Sequence, residues 1–145
     1  MEPTTSSALQ ASFALRATIG RLRRRLREVA SSDGLTPSQV AVLTRLGKEE
    51  ASTASALASA EGVRPQSMAS ILSALEQLGL ISRAPDPTDG RRQIVTLTAA
   101  GKALDRDNQQ ARREWLTRAM HERFSEDERQ AVIAAMALLE RLTDA

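Results

Sequence analysis

The segment Asp86-Pro-Thr-Asp-Gly-Arg-Arg-Gln-Ile-Val-Thr-Leu-Thr-Ala-Ala-Gly101 constrains the fold more than any other part of the chain. Its first half concentrates turn chemistry: proline presets φ, aspartate bonds its own backbone, and glycine accepts positive φ. Gln93–Leu97 is a short β-branched run that reads as a strand. Leu80–Ala84, on the other side of the turn residues Pro85–Arg92, supplies a partner strand. The spacing predicts a hairpin with two arginines and two aspartates at its tip, followed at Thr98 by a helix cap.

Two short helical patterns precede the hairpin. Thr53 is placed to cap Ala54–Ala60, with Leu57 inward, and Gly62 supplies a turn. Pro65 suits the first turn of the next helix, whose apolar side carries Met68, Ile71, Leu72, Leu75 and Leu78, and Gly79 suits a left-handed C-cap. Before these, Thr36-Pro37-Ser38-Gln39 has the form of a capping box with proline at the first helical position. Val40, Leu43 and Leu46 then form a buried side, and Gly47 is read as the end of that helix. Helix, turn, helix and arginine-tipped hairpin together make the layout of a winged helix-turn-helix, a module that reads duplex DNA.

The flanks are helical too. Over Ala8–Ala30, Leu15, Ile19, Leu22, Leu26 and Val29 recur in steps of four and three, the narrow seam of a helix packed on another helix. Residues 1–7 read as a frayed polar terminus, and Ser31-Ser-Asp-Gly34 as a break. Arg16, Arg21, Arg23, Arg24, Arg25 and Arg27 cover the other faces of the first helix and read as a solvated surface. Thr98 opens a sparsely apolar helix to about Met120, with Leu104, Ala111, Trp115, Leu116 and Ala119. Ser125 and Glu128 form a second capping box, and the last helix carries Val132, Ile133, Met136, Leu139 and Leu142 on its buried side. His121 falls in the break between the two, as an exposed loop residue.

The expected fold is therefore mainly α with a small β-hairpin wing. Residues 1–34 and 98–145 supply N- and C-terminal dimerisation helices around a DNA-binding domain at 35–97. Strong stripes at both chain ends, around a module with its own core, suit a bundle shared with a second copy.

Composition narrows the function classes. At 145 residues one domain is the simplest reading, and a formal net charge of +2 gives no general affinity for polyanions. Among the 20 basic residues only Lys48 and Lys102 are lysine; arginine suits bidentate phosphate and guanine contacts. The absence of cysteine excludes disulfides, thiol switches and cysteine-ligated zinc. With one histidine, no phosphate-binding glycine loop and no anchored carboxylate pair, an enzyme is not expected, nor a metal site or cofactor. No apolar run approaches membrane-spanning length, and no secretory signal pattern opens the chain, so a cytoplasmic protein is expected.

Asp89-Gly-Arg91, then Ile94, Leu97-Thr98 and Gly101, resembles the wing signature of the MarR family of bacterial transcriptional regulators. Leu75-Glu76, Gly79-Leu80-Ile81 and Arg83 match the end of that family's recognition helix and the start of its hairpin. The resemblance implies a homodimer whose terminal helices interleave. It also implies recognition helices (here 64–78) in successive major grooves of a pseudo-palindromic operator and wings (85–92) in flanking minor grooves. Repression, relieved by a small aromatic or phenolic effector, is the usual outcome in the family. Ala69-Ser70 stands where many relatives carry a longer polar or basic residue.

On this reading Arg64, Pro65, Gln66, Ser67 and Ser70 face the bases, with Arg64 able to hold guanine and Gln66 adenine. In the wing, Arg91 is expected in the minor groove, prepositioned by a bidentate pair with Asp89, and Arg92 at a phosphate. Ser52, Thr53 and Ser55 are candidate phosphate contacts at a helix start. Leu15, Ile19, Leu22, Leu26, Val132, Met136 and Leu139 are the dimerisation candidates. The alternative is a winged-helix adaptor that binds protein partners and not DNA. An arginine-tipped wing argues against it.

Overall fold

The computed structural model describes Pro3, residues 5–30 and residues 34–144. Among these residues six helices and three short strands follow one another: α1 (Ser6–Val29), α2 (Pro37–Glu49), β1 (Ala51–Thr53), α3 (Ala54–Glu61), α4 (Pro65–Gln77), β2 (Ile81–Pro85), β3 (Gln93–Leu97), α5 (Ala99–Arg123) and α6 (Glu126–Glu140). Most boundaries come from caps. Thr36 Oγ1 accepts from the Gln39 amide at 3.2 Å while Gln39 Oε1 accepts from the Thr36 amide at 2.9 Å. Ser125 and Glu128 repeat this reciprocal box at α6, and Thr53 and Thr98 cap α3 and α5 through the amides of Ala56 and Gly101. Each cap satisfies helix N–H groups that have no partner within the helix.

Several boundaries differ from the sequence reading. Thr5 caps α1, so Ser6 and Ser7 are helical and only Met1, Glu2 and Thr4 of the expected frayed end lie outside the described residues. The break expected at 31–34 falls mostly outside them as well, leaving Gly34 with φ of 85°. Helix α2 does not end at Gly47. It runs to Glu49 and stops at Glu50, a non-glycine residue with φ of 66°. Gly47 instead provides room, since a Cβ there would fall 2.1 Å from Asp105 Oδ2 of α5. Helix α5 reaches Arg123, so His121 is an exposed helical residue and not a loop residue.

The sheet has three antiparallel strands in the order β1-β3-β2, one more than the predicted hairpin. Ser52 sits opposite Val95 and Arg83 opposite the same residue from the other side. The core lies where sheet and helices meet: Val42, Leu43, Leu46, Leu57, Met68, Leu72, Leu75, Ile81 and Val95 are all essentially inaccessible. Leu104 of α5 packs against this cluster. Leu78, expected on the apolar side of α4, is exposed beyond the helix end.

The terminal helices are different. Neither α1 nor α6 has a buried residue. Leu15, Leu26, Val132 and Leu139 are half-buried, while Ile19, Leu22, Ile133, Met136 and Leu142 are exposed. The single chain thus leaves uncovered much of the two stripes that the sequence marks as buried. Among the described residues, no helix is long and apolar enough to cross a membrane.

Candidate nucleic-acid interface

Helix α4 presents its polar side outward because its apolar residues are spent on the core: Met68, Leu72 and Leu75 are buried. Arg64, Pro65, Gln66, Ser67 and Ser70 are all exposed, and Pro65 opens the helix. Arg64 is the N-cap rather than a first-turn residue, with φ −70° and ψ 150°, and its side chain makes no capping bond. Its guanidinium has no hydrogen bond or ion pair among the described residues and stands beside open helix N–H groups, an arrangement that attracts anions. Ser70 Oγ donates to the Gln66 carbonyl at 3.3 Å, so it offers a ligand its lone pairs and not its proton. Ser73 and Gln77 are exposed on the same face as Gln66 and Ser70, at spacings of seven and eleven from Gln66. Both lie beyond the stretch 64–70 expected to face the bases, although their helical spacing from Gln66 places them on its face.

The wing is organised by its two aspartates. Asp86 Oδ1 accepts from both the amide and the hydroxyl of Thr88 at 2.8 Å. The Thr88 amide is the chief cause that holds this carboxyl below the usual range. The Asp86 amide donates to the Arg92 carbonyl and the Arg92 amide to the Asp89 carbonyl, both at 3.0 Å, which closes the loop.

Asp89 does not grip the Arg91 guanidinium. Its Oδ1 accepts from the Arg91 backbone amide at 3.1 Å, and its Oδ2 lies 3.8 Å from Arg92 Nε. A two-residue offset across this turn brings carboxylate to amide, as in an Asx turn, and leaves the Arg91 side chain exposed without a partner among the described residues. Arg83 Nε stands 3.6 Å from Glu76 Oε2, a link between the wing's first strand and the recognition helix.

Ser52, Thr53 and Ser55 do not form one cluster at a helix start. Ser52 and Thr53 are half-buried in β1, the Thr53 hydroxyl is committed to its cap, and of the three only Ser55 is exposed.

A cavity of about 350 Å³ lies between α1, α2 and α5 and reaches Glu61 at the end of α3. Leu26, Val40 and Ala41 give it an apolar part; among the described residues Arg23, Arg27, Arg45, Lys48 and Arg112 face it, with the carboxylates Glu49 and Glu61. Arg112 donates from Nε to the Leu26 carbonyl at 3.3 Å and from Nη1 to Thr44 Oγ1 at 3.5 Å, with Asp105 of the same helix as its acidic neighbour. Burial is the main cause that lowers its pKa. Asp105, on α5 behind the cavity, is raised, again chiefly by burial, and its Oδ1 is buried without a hydrogen-bond partner. Among the described residues no group of histidine and carboxylate side chains could hold a metal ion.

A recognition helix with its polar face free, beside an arginine-bearing wing, defines a winged helix-turn-helix regulator. Residues 35–92 match the MarR family profile. The chain is 36% identical over 130 residues, 90% of each chain, to an HTH-type transcriptional regulator of Mycobacterium bovis. It is 34% identical over 83 residues, 57% of this chain and 60% of the relative, to an HTH-type transcriptional repressor of Mycobacterium tuberculosis. A crystallised Pseudomonas aeruginosa protein described as a transcriptional regulator is 36% identical and superposes with a TM-score of 0.85 over 98% of this chain and 99% of its own. The chain belongs to the MarR family. It is a DNA-binding transcriptional regulator and not an enzyme.

Proposed function

We propose that this protein is a cytoplasmic homodimeric repressor that binds a pseudo-palindromic operator and is released by a small aromatic or phenolic effector. The observation that carries the DNA half is the pair of unpartnered guanidinium groups: Arg64 at the N-cap of α4 and Arg91 at the wing tip. Residues 35–97 form the reading module, with Gln66, Ser67, Ser70, Ser73 and Gln77 toward the major groove and Arg91 in the minor groove. Arg92, shared with Asp89, contacts a phosphate, as Ser55 does from the start of α3. The terminal segments 1–34 and 98–145 form the dimer, because their apolar residues lack cover within one protomer. Repression follows the name of the Mycobacterium tuberculosis relative, and the cationic cavity is the place for an effector.

A two-fold dimer should protect half-sites whose centres lie about 10 base pairs apart, or a multiple of that. Affinity should fall steeply with salt through counterion release, which a protein-binding adaptor would not show for duplex DNA. Arg91→Ala should weaken binding across all sequences, since a minor-groove arginine responds to potential and width more than to base identity. Arg64→Ala and Gln66→Ala should each relax preference at one position per half-site and lose about 1–3 kcal/mol on the preferred operator. Titration of variants against operator and scrambled duplexes decides the matter. The assignment is wrong if Arg91→Ala binds both duplexes like wild type, or if Arg64→Ala and Gln66→Ala both leave every base preference unchanged.

A further inference from the structure

Resting on the effector reading above, we propose that Arg45 is the residue through which the cavity acts on the recognition helix. Its guanidinium either holds Glu61 at the helix-turn-helix turn or engages a small organic carboxylate in the cavity.

Arg45 Nε lies 2.7 Å from Glu61 Oε1, and its Nη1 lies 3.4 Å from Glu49 Oε1. Glu61 is the last residue of α3; Gly62 follows with φ of 66°, and Arg64 caps α4 three residues on. The bonds from the Gly62 amide to the Ser59 carbonyl and from the Val63 amide to the Ala58 carbonyl stay within α3 and its own extension, and the Arg64 carbonyl accepts from the Met68 amide of α4. Arg45–Glu61 is a side-chain hydrogen bond that ties the end of α3, at this turn, to α2. The side chains of Arg45 and Glu61 are 35% and 22% exposed, so water and salt screen the pair less than a surface pair.

Both partners also face the cavity. Glu61 has a second neighbour: a smaller hollow of about 200 Å³ that reaches Met68 and Ile71, on the underside of α4. Glu61, with Arg27 and Ala41, thus lines both the cavity and the hollow on the inner side of the recognition helix.

The cavity favours an anion. Among the described residues its lining cations outnumber its lining carboxylates, and Arg112 donates there only to the Leu26 carbonyl and the Thr44 hydroxyl, with Asp105 of its own helix as an electrostatic neighbour. A planar carboxylate matches the guanidinium fork, and the apolar part formed by Leu26, Val40 and Ala41 suits an apolar body attached to it. An anion held by Arg112 would repel Glu61 and compete with it for Arg45. Loss of that bond frees the turn that places Arg64 and the start of α4. The ligand acts only to the extent that it prefers the unlatched state, and operator and ligand must weaken each other by the same factor.

The test uses the full-length protein on its footprinted operator, with benzoate as probe and uncharged benzamide as control. Without probe, Arg45→Gln and Glu61→Gln should each weaken operator binding about fivefold or more. The exchanged pair, Arg45→Glu with Glu61→Arg, should return it to within about twofold of wild type, which a merely disrupted fold would not do. Benzoate should release wild type where benzamide does not, should leave Arg45→Gln indifferent, and should bind Glu61→Gln more tightly than wild type by calorimetry. The latch is overturned if either single variant binds operator like wild type, or if the exchange recovers nothing while melting temperatures stay unchanged. The carboxylate is overturned if millimolar benzoate neither binds nor releases wild type. Wild type that binds no duplex would instead overturn the DNA reading itself, and wild type released by benzoate, alongside single variants that bind operator as wild type does and are released by benzoate equally, would leave the effector reading standing without the latch.

Discussion

Alanine at position 101 is expected to destabilise the protein by about 3 kcal/mol, the upper end for overpacking a tight site. Gly101 lies in the first turn of α5, and a Cβ there would stand 2.0 Å from the Leu80 carbonyl oxygen and 3.2 Å from Leu97 Cδ2. The obstacle is backbone and it is already engaged: the Leu80 oxygen accepts from the Thr98 amide at 3.1 Å, and the Thr98 hydroxyl donates to the Gly79 carbonyl. Retreat would break the joint that fastens the wing's first strand to α5. Gly47→Ala is the control. There the Cβ meets Asp105 Oδ2 at 2.1 Å, the end of a side chain that can rotate away. Thermal melts should show a drop on the order of 10 °C for Gly101→Ala and clearly less for Gly47→Ala. Equal losses, or a Gly101→Ala protein as stable as wild type, would mean that the close approach is not what fixes this joint.

These two glycines also mark how far a sequence can be read. Caps were legible because they are local: Thr36 with Gln39, or Ser125 with Glu128, satisfy helix amides within four residues, and proline at positions 37 and 65 fixes φ whatever surrounds it. Gly47 was misread as a terminator because its reason is 58 positions away, at Asp105. Strand β1 was missed on similar grounds. Ala51-Ser-Thr has no β-branched run, and it is extended because the edge of β3 offers Ile94, Val95 and Thr96 as partners. In the wing, residue types were legible and geometry was not: a carboxylate two positions before an arginine can reach guanidinium or amide, and the turn's backbone selects the amide. On α4 the outward face could have been extended to Ser73 and Gln77 from helical spacing alone. The Arg45–Glu61 pair could not, since nothing local relates residues 16 apart.

The same distinction makes the terminal helices the place for the most decisive functional experiment. Leu22 and Met136 are 38% and 49% exposed in the protomer, on helices that bury nothing of their own. For a protein that works as a monomer, Leu22→Glu or Met136→Glu would be a surface change within about 0.5 kcal/mol of neutral. In the proposed dimer each places two carboxylates, one per copy, in an apolar interface without partners, at several kcal/mol apiece. Light scattering should then find wild type dimeric and Met136→Glu monomeric at micromolar concentration. Operator affinity should fall by roughly a hundredfold or more, because the second half-site no longer benefits from the effective concentration set by the first. Binding to a single isolated half-site should change little, since α4 and the wing are untouched. Thermal stability at matched concentration should fall as well, because association stabilises the fold by mass action. A Met136→Glu protein that keeps wild-type mass and wild-type operator affinity would show that α6 is not the interface, and the exposed stripes on α1 and α6 would then need a different cover.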